Sequence, residues 1–84
     1  MRQNSNLIGA RVRISRYAKN PKLTQINLMK LLQLEGLDIN QAQLSKIEHG
    51  IRPVSDIEVA VFAKVLNVSA SWLLGEINDS KRLS

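Results

Sequence analysis

Apolar residues recur along this chain every three to four positions, and short polar segments interrupt the repeat. This spacing is that of amphipathic helices, whereas half-buried strands would alternate strictly between apolar and polar residues. Period-two runs of β-branched residues are missing, and so are the Asn-Gly and Asp-Gly pairs of tight hairpins. The pattern therefore predicts an all-α chain with five helices.

Helix 1 is predicted to start after one of the polar residues 4–6 and to run to about Ala18, with an inner stripe of Leu7, Ile8 and Val12. The Asn20-Pro21 pair breaks the pattern because the residue before a proline avoids the helical region.

Side chains that cap helix N-termini precede three of the remaining helices. Thr24 is a good N-cap, and Asn40 with Gln43, like Ser55 with Glu58, has the spacing of a capping box. The predicted spans are Thr24 to Gly36 for helix 2, Asn40 to His49 for helix 3, Ser55 to Asn67 for helix 4 and Ser69 to Gly75 for helix 5. The expected buried residues of helices 4 and 5 are Ile57, Val59, Phe62, Ala63, Leu66, Trp72 and Leu73. One domain over residues 1–76 and a polar tail over 77–84 are expected.

Helix 3 has one apolar side and one side of polar or small residues. Leu44, Ile47 and Glu48 lie on the same side. At 100° per residue the opposite side carries Ala42, Lys46 and His49, with Gln43 and Ser45 on its flanks and Gln41 near the exposed N-terminal end. Amides, a methyl group and a lysine are what a helix needs to contact base edges in the DNA major groove. A solvated surface is the alternative interpretation of the same residues.

Length and composition narrow the class of protein. The chain has 84 residues and no cysteine, so we expect one small domain and exclude a disulfide framework, a zinc finger and thiol catalysis. No apolar run is long enough to span a membrane. Because the first six residues are polar and no long apolar segment follows, no signal peptide is expected, and a cytoplasmic location is the default.

The charge is distributed unevenly along the chain, whose formal net charge is +5. No carboxylate precedes Glu35, whereas the same segment carries Arg2, Arg11, Arg13, Arg16, Lys19, Lys22 and Lys30. This separation predicts a basic face on the N-terminal half, which would suit an acidic partner such as nucleic acid. A solvated helix face is the alternative, and Arg2 could equally be an arm that touches DNA or a disordered residue.

Helices 2 and 3, joined by a short link that contains Gly36, form a helix-turn-helix arrangement. Five segments in this order resemble the Cro/phage-repressor (XRE-like) helix-turn-helix family, and the resemblance covers roughly residues 7 to 75. The segments are Ile8-Gly9-Ala10-Arg11-Val12-Arg13, Leu23-Thr24-Gln25, Leu44-Ser45-Lys46-Ile47-Glu48-His49-Gly50, Ala63-Lys64-Val65-Leu66-Asn67-Val68-Ser69 and Trp72-Leu73-Leu74-Gly75. The resemblance implies a five-helix repressor-like DNA-binding domain.

The resemblance also implies roles for individual residues. Gln25 would bind a phosphate, the residues Gln41, Ala42 and Lys46 would face base edges, and Gln43 would lie near the DNA backbone. The segment from His49 to Arg52 would follow the phosphates. The predicted DNA-binding set is Gln25, Asn40, Gln41, Ala42, Gln43, Lys46, His49 and Arg52. Arg16 and Glu48 match a pair that ties helix 1 to helix 3, and Glu48 on the inner face would need a cation on physical grounds alone.

Three positions depart from the family pattern. The span from Thr24 to Asn40 is longer than the usual motif by about five residues, which predicts an extended helix-turn-helix with one extra turn on helix 2 and a longer loop. Met29 stands where the family usually has alanine, and Ser15 replaces an expected apolar residue. These differences bear on the docking angle of helix 3.

The favoured function is a sequence-specific DNA-binding transcriptional regulator, a repressor, that binds a palindromic operator as a weak homodimer. The expected dimer surface is the Ile51 to Val54 loop with Trp72 of helix 5; alternatively, these residues complete the monomer core. The other function considered is a protein-interaction module, such as an antitoxin-type partner. An enzyme is disfavoured because seven carboxylates and one histidine form no acid/base pair in the sequence. His49 is expected to be a surface residue, and no metal or cofactor is predicted.

Overall fold

The computed structural model describes residues 6–77, and helices are its only regular secondary structure within that range. The five helices are α1 Gly9–Ala18, α2 Gln25–Leu34, α3 Gln41–Glu48, α4 Asp56–Leu66 and α5 Ala70–Leu73. They confirm the predicted all-α, five-helix fold. Arg2 and the predicted tail from residue 78 onward lie outside the described residues.

Side-chain caps fix the starts of α2, α3 and α4 where the sequence predicts them. The Thr24 side chain accepts from the backbone N–H of Asn27. Asn40 with Gln43, and Ser55 with Glu58, form complete capping boxes in which each side chain bonds the other residue's backbone N–H. Each cap satisfies donors that the first helical turn leaves without an intrahelical partner. The N-terminus of α3 is therefore held by two local hydrogen bonds.

The ends of α2 and α4 use the left-handed backbone region. Gly36 has φ 88°, just after α2, and Asn67 has φ 58° at the C-cap of α4. Glycine and asparagine are the residues that adopt this region most readily. Both helices stop where the sequence predicts, and α2 is a ten-residue helix.

Helix α1 starts later than the apolar pattern predicts. The Asn6 side-chain oxygen accepts from the backbone N–H groups of Ile8 and Gly9 at 3.0 and 2.9 Å. Asn6 thus satisfies the first donors of a helix that begins at Gly9. Leu7 lies before the first turn and is 55% exposed, so its assignment to the inner stripe is wrong. Ile8 and Val12 are fully buried, as predicted.

The core is formed by side chains from all five helices and the segments between them. Its fully or nearly fully buried apolar members are Ile8, Val12, Leu28, Leu32, Ile39, Leu44, Ile47, Val59, Phe62, Ala63, Leu66, Val68 and Leu73. Ile57 is 71% exposed, so its predicted burial is wrong. Ile57 lies two residues before the buried Val59. At 100° per residue, this spacing places Ile57 about 200° around the helix from Val59.

The residues expected at the dimer surface divide into two groups. Val54 and Trp72 are partly buried and pack against the core, as in the alternative that they complete the monomer. Ile51 is 70% exposed. Only Ile51 of this set therefore offers a mainly solvent-exposed apolar side chain.

Helix α3 packs against α1 and α2, and α4 packs against α1, α2 and α5. This arrangement leaves α3 on the outside of the molecule with one face available.

Ser15 of α1, predicted as a polar residue in an apolar position, is 4% exposed, and its hydroxyl has no hydrogen-bond partner among the described residues.

Candidate nucleic-acid interface

The outward face of α3 presents the residues predicted to contact bases. Gln41, Ala42 and Lys46 are exposed, whereas Leu44 and Ile47 are fully buried on the opposite side. Because the buried residues fix the rotation of the helix about its axis, the exposed three cannot turn inward without emptying the core. The structure thus brings together a methyl group, an amide and an ammonium on one short solvent-facing helix surface.

Two predicted DNA-binding residues are engaged in the start of α3. The Asn40 side-chain oxygen accepts from Gln43 N at 2.8 Å, and the Gln43 side-chain oxygen accepts from Asn40 N at 2.9 Å. These bonds give both side chains a structural role in the capping box. Any contact that either makes with DNA must be compatible with that role.

A chain of amide hydrogen bonds links the N-termini of α2 and α3. Gln25 Nε2 donates to Glu48 Oε1 at 3.1 Å, and Gln41 Nε2 donates to Gln25 Oε1 at 3.4 Å. Gln25, the first residue of α2, is partly buried and therefore held in place. The positive end of the α2 dipole lies at this position, which is favourable for an anion.

Arg16 and Glu48 form a bidentate ion pair beneath α3. Arg16 Nε donates to Glu48 Oε2 at 2.6 Å and Arg16 Nη2 to Glu48 Oε1 at 2.8 Å. The two side chains are only 7% and 2% exposed. Arg16 Nη1 also donates to the Leu23 carbonyl at 3.0 Å. The pair therefore connects α1, the segment before α2 and the last turn of α3.

The hydrogen bonds that Arg16 donates to Glu48 raise the pKa of Arg16 above its ordinary value, and this effect outweighs the desolvation that lowers it. The Arg16 guanidinium is therefore charged at neutral pH, and it offsets the cost of burying the Glu48 carboxylate that it binds. A lone carboxylate at this position would be costly to bury.

Arg52, predicted to lie along the phosphates, is bound by a carboxylate. Its Nη1 and Nη2 atoms donate to Glu58 Oε1 at 3.2 Å and Oε2 at 3.0 Å, and Nη1 also donates to the Pro53 carbonyl at 3.0 Å. The Arg52 hydrogen bond is the main cause that holds the pKa of Glu58 below its ordinary value of 4.5. The structure thus gives Arg52 a role in holding the start of α4.

His49 is exposed at the C-cap of α3, and its Nδ1 lies 2.8 Å from the Ser45 carbonyl oxygen. A carbonyl oxygen only accepts hydrogen bonds, so Nδ1 carries the proton that this contact requires. In the neutral ring, Nε2 is then an acceptor. His49 is therefore a surface residue, as predicted, and its ring orientation is fixed by the helix.

Asn6 and Gly9 contact the buried side of α3, and the sequence patterns do not predict this role for either residue. Asn6 Nδ2 donates to the carbonyls of Ile47 at 2.7 Å and Arg52 at 3.0 Å, across more than forty residues of sequence. At Gly9, a Cβ atom would overlap the carbonyl oxygen of Ile47. In the sequence, Gly9 is part of a segment that resembles the family, and Asn6 is one of three possible N-caps of helix 1. Local patterns carry no information on contacts between residues so far apart, so neither contact with α3 could be predicted.

The side chains and helices of residues 6–77 offer neither a metal-binding cluster nor a membrane span. No group of His, Asp or Glu in that range is placed to hold a metal ion. None of the helices described there is long and apolar enough to cross a membrane.

Comparison with known proteins supports the assignment made from the motifs. A family model described as helix-turn-helix matches residues 29–73, which is more than half of the 84-residue chain. The matched region runs from within α2 through α5, and so includes α3. Comparisons with curated proteins and with solved structures found no match. With a helix-turn-helix of this sequence pattern and this geometry, the chain belongs to the Cro/C1-type (XRE) helix-turn-helix family of DNA-binding domains.

Proposed function

We propose that this protein is a sequence-specific, double-stranded DNA-binding transcriptional repressor that inserts α3 into the major groove. The observation that carries the proposal is the outward face of α3, where Gln41, Ala42 and Lys46 are exposed on a helix fixed by its buried side. A helix of this width fits the major groove of B-DNA. Its eight residues limit the number of base pairs it can contact to a few.

The chemistry of the three exposed side chains suggests their base partners. Lys46 can donate to O6 and N7 of guanine, Gln41 can form two hydrogen bonds with adenine, and Ala42 can contact the methyl group of thymine. Gln41 would have to exchange its long 3.4 Å hydrogen bond with Gln25 for such a contact.

The remaining predicted residues would position the protein on the DNA backbone. Gln25 lies at the N-terminus of α2, where helix dipole and backbone N–H groups favour a phosphate. Asn40, Gln43 and His49 flank the base-contacting face of α3. Arg52 would share its guanidinium between Glu58 and a phosphate. Contacts of this kind fix register and orientation but do not distinguish sequences.

A homodimer on a palindromic operator is the assembly we propose. One short recognition helix gives little discrimination against a genome of competing sites, and two-fold pairing doubles the number of base pairs that are contacted. The exposed Ile51 side chain, near the C-terminus of α3, is an apolar candidate for the contact between copies. A single side chain of this size supports only weak association in solution.

A protein-interaction module, such as the antitoxin-type partner, is the second candidate. Exposed apolar side chains away from α3 favour it: Leu34 is 81% exposed, and Leu7 and Ile14 are each 55% exposed. Among the described residues of α3 itself no large apolar side chain is exposed, which favours DNA for that helix. The two functions can coexist on different faces of the domain.

Duplex binding as a function of salt concentration tests the proposed function. If each monomer neutralises about four phosphates, the logarithm of the binding constant should fall against the logarithm of salt concentration with a slope of roughly −3.6 per monomer. Fluorescence anisotropy with a mixed-sequence duplex pool measures this slope. Absence of binding at about 50 mM salt, the low end of the range in which phosphate contacts are strong, would contradict DNA binding and leave the protein-interaction function.

A further inference from the structure

Three cationic side chains surround one tyrosine ring on the surface of α1. The guanidinium carbons of Arg13 and Arg16 lie 5.7 and 5.2 Å from the centroid of the Tyr17 ring. The Lys22 ammonium lies 4.5 Å from the same centroid. Tyr17 is 51% exposed, so the cluster is open to solvent on one side. The electron-rich face of the ring attracts these cations and limits their movement.

The charges in this cluster are not balanced. The charge of Arg16 is compensated by Glu48. Arg13 and Lys22 form no ion pair among residues 6–77, and both are exposed. Two positive charges therefore remain at one place. The positive charges of Arg13 and Lys22 repel each other, and an anion bound between or beside them would relieve this repulsion.

The cluster faces a cleft that reaches the candidate DNA interface. The cleft has a volume of about 430 Å³, and its lining includes Arg13, Tyr17 and Lys22 from the α1 side. Gln25, Gln41 and His49 line its other side, so the N-termini of α2 and α3 open into the same space. The Glu48 carboxylate also lines the cleft, but it is already bound by Arg16 and Gln25.

We propose that Arg13, Tyr17 and Lys22 bind one backbone phosphate of the DNA, outside the base pairs that α3 contacts. This inference rests on the proposed function, because the occupant is a phosphate of the same duplex. Arg13 and Lys22 supply the charge, and the Tyr17 ring holds them together while its hydroxyl offers a further donor. Continuity of the cleft with Gln25 and Gln41 favours DNA over an acidic protein segment as the occupant.

A scan with neutral methylphosphonate groups, placed one at a time along each strand of the preferred duplex, tests the inference. For the wild-type protein, one position outside the contacted bases should weaken binding on the order of tenfold, the size of one charge-assisted hydrogen bond. The double variant Arg13→Gln/Lys22→Gln should be insensitive at that position, and its salt slope should be smaller by about 0.9, as for one phosphate. Its base preference should be unchanged. Tyr17→Leu, which keeps both charges, should also weaken binding to the unmodified duplex.

Lys64→Gln is the matched control. Lys64 lies on α4 in an exposed pair with Glu35, at 2.8 Å, and its removal lowers the net charge without touching the cleft. It should give the wild-type methylphosphonate profile. A double variant with the wild-type profile and salt slope would overturn this inference alone and leave the proposed function intact. No duplex binding by the wild-type protein would overturn both.

Discussion

Glu48 is the residue on which the position of α3 depends most. It is buried on the last turn of that helix, and it accepts hydrogen bonds from Arg16 of α1 and Gln25 of α2. One carboxylate therefore connects the three helices that surround the candidate interface. Lys46 lies about 200° around α3 from Glu48, whereas Gln41 is linked to Glu48 through Gln25 and lines the same cleft.

Removing either partner of the Arg16–Glu48 pair should destabilise the fold strongly. Glu48→Gln or Arg16→Met leaves the remaining charge buried without compensation, at a cost of roughly 3–5 kcal/mol. For a domain this small that is a large share of the free energy of unfolding. Urea melts monitored by circular dichroism measure it. Values within about 0.5 kcal/mol of wild type, the range of surface substitutions, would mean that the pair is exposed in solution.

Gly9 should not tolerate a methyl group, although alanine is the better helix former. The added Cβ would overlap the backbone carbonyl of Ile47, and backbone atoms of two helices would have to separate. We expect Gly9→Ala to lose about 3 kcal/mol, the upper end of the range for overpacking. Ala10→Ser, at the exposed neighbouring position, should stay within about 0.5 kcal/mol of wild type. A Gly9→Ala protein more stable than wild type would contradict the close approach of α1 and α3.

At the level of elements, α3 is held at both ends by different means. The Asn40–Gln43 capping box, made of residues of the helix itself, fixes its start. Its C-terminal end is fixed by Asn6, which donates to the carbonyls of Ile47 and Arg52. Only the first of these devices is local in sequence. An eight-residue helix has little stability of its own, so its order depends on these contacts and on core packing.

The start of α4 should make stability depend on pH in the acidic range. Hydrogen bonds from Arg52 and from Ser55 hold the pKa of Glu58 below its ordinary value of 4.5. A lowered folded-state pKa contributes stability above the unfolded value, and this contribution is lost as the pH falls through the folded value. Urea melts at pH 7 and in steps below pH 4.5 should show this decline. Glu58→Gln should be less stable at pH 7 and should lose less on acidification. An equal decline in both proteins would contradict the assignment to Glu58.

Local features of the elements could be predicted from the sequence, and distant contacts could not. Thr24, Asn40 and Ser55 act on donors two or three residues away, so their spacing alone predicts the helix starts. The burial of Ile57 was predicted wrongly because the residue is apolar but its angle around the helix places it away from the buried stripe. The bond from Asn6 to Ile47 depends on how two helices pack, which no local window contains. The resemblance places Arg52 along the phosphates, and its ion pair with Glu58 is a contact that this pattern does not contain.

At the scale of the molecule, part of the basic N-terminal half lies beside the candidate interface. The basic residues of the N-terminal half include Arg13 and Lys22, which line the cleft beside the start of α2. The acidic residues Asp56 and Glu58 lie in the first turn of α4. A duplex approaching the cleft would therefore meet positive potential, and its association should be steered by charge and slowed by salt.

The proposed dimer predicts a footprint with two half-sites. Recognition helices related by a two-fold axis should contact half-sites whose centres are about 10 base pairs apart on one face of the DNA. Footprinting of the preferred duplex measures the spacing, and sedimentation measures association without DNA. Ile51→Ser should make binding to the two half-sites less cooperative.

Leu34→Ser removes an exposed apolar side chain of similar size from α2, where Leu34 is 81% exposed, and should leave cooperativity unchanged. One asymmetric half-site bound by a monomer with full affinity would contradict the dimer. It would leave the DNA-binding family assignment as it stands.

The proposed base contacts of α3 are tested most directly by selecting bound sequences from a random duplex pool with three proteins: wild type, Lys46→Ala and Lys64→Ala. Wild type and Lys64→Ala should enrich the same sequence. Lys46→Ala should lose preference at one base position of each half-site and bind the wild-type sequence more weakly by about 1–3 kcal/mol. Enrichment of no sequence by the wild-type protein, or of an unchanged sequence by Lys46→Ala, would contradict the assignment of α3 as the helix that contacts the bases.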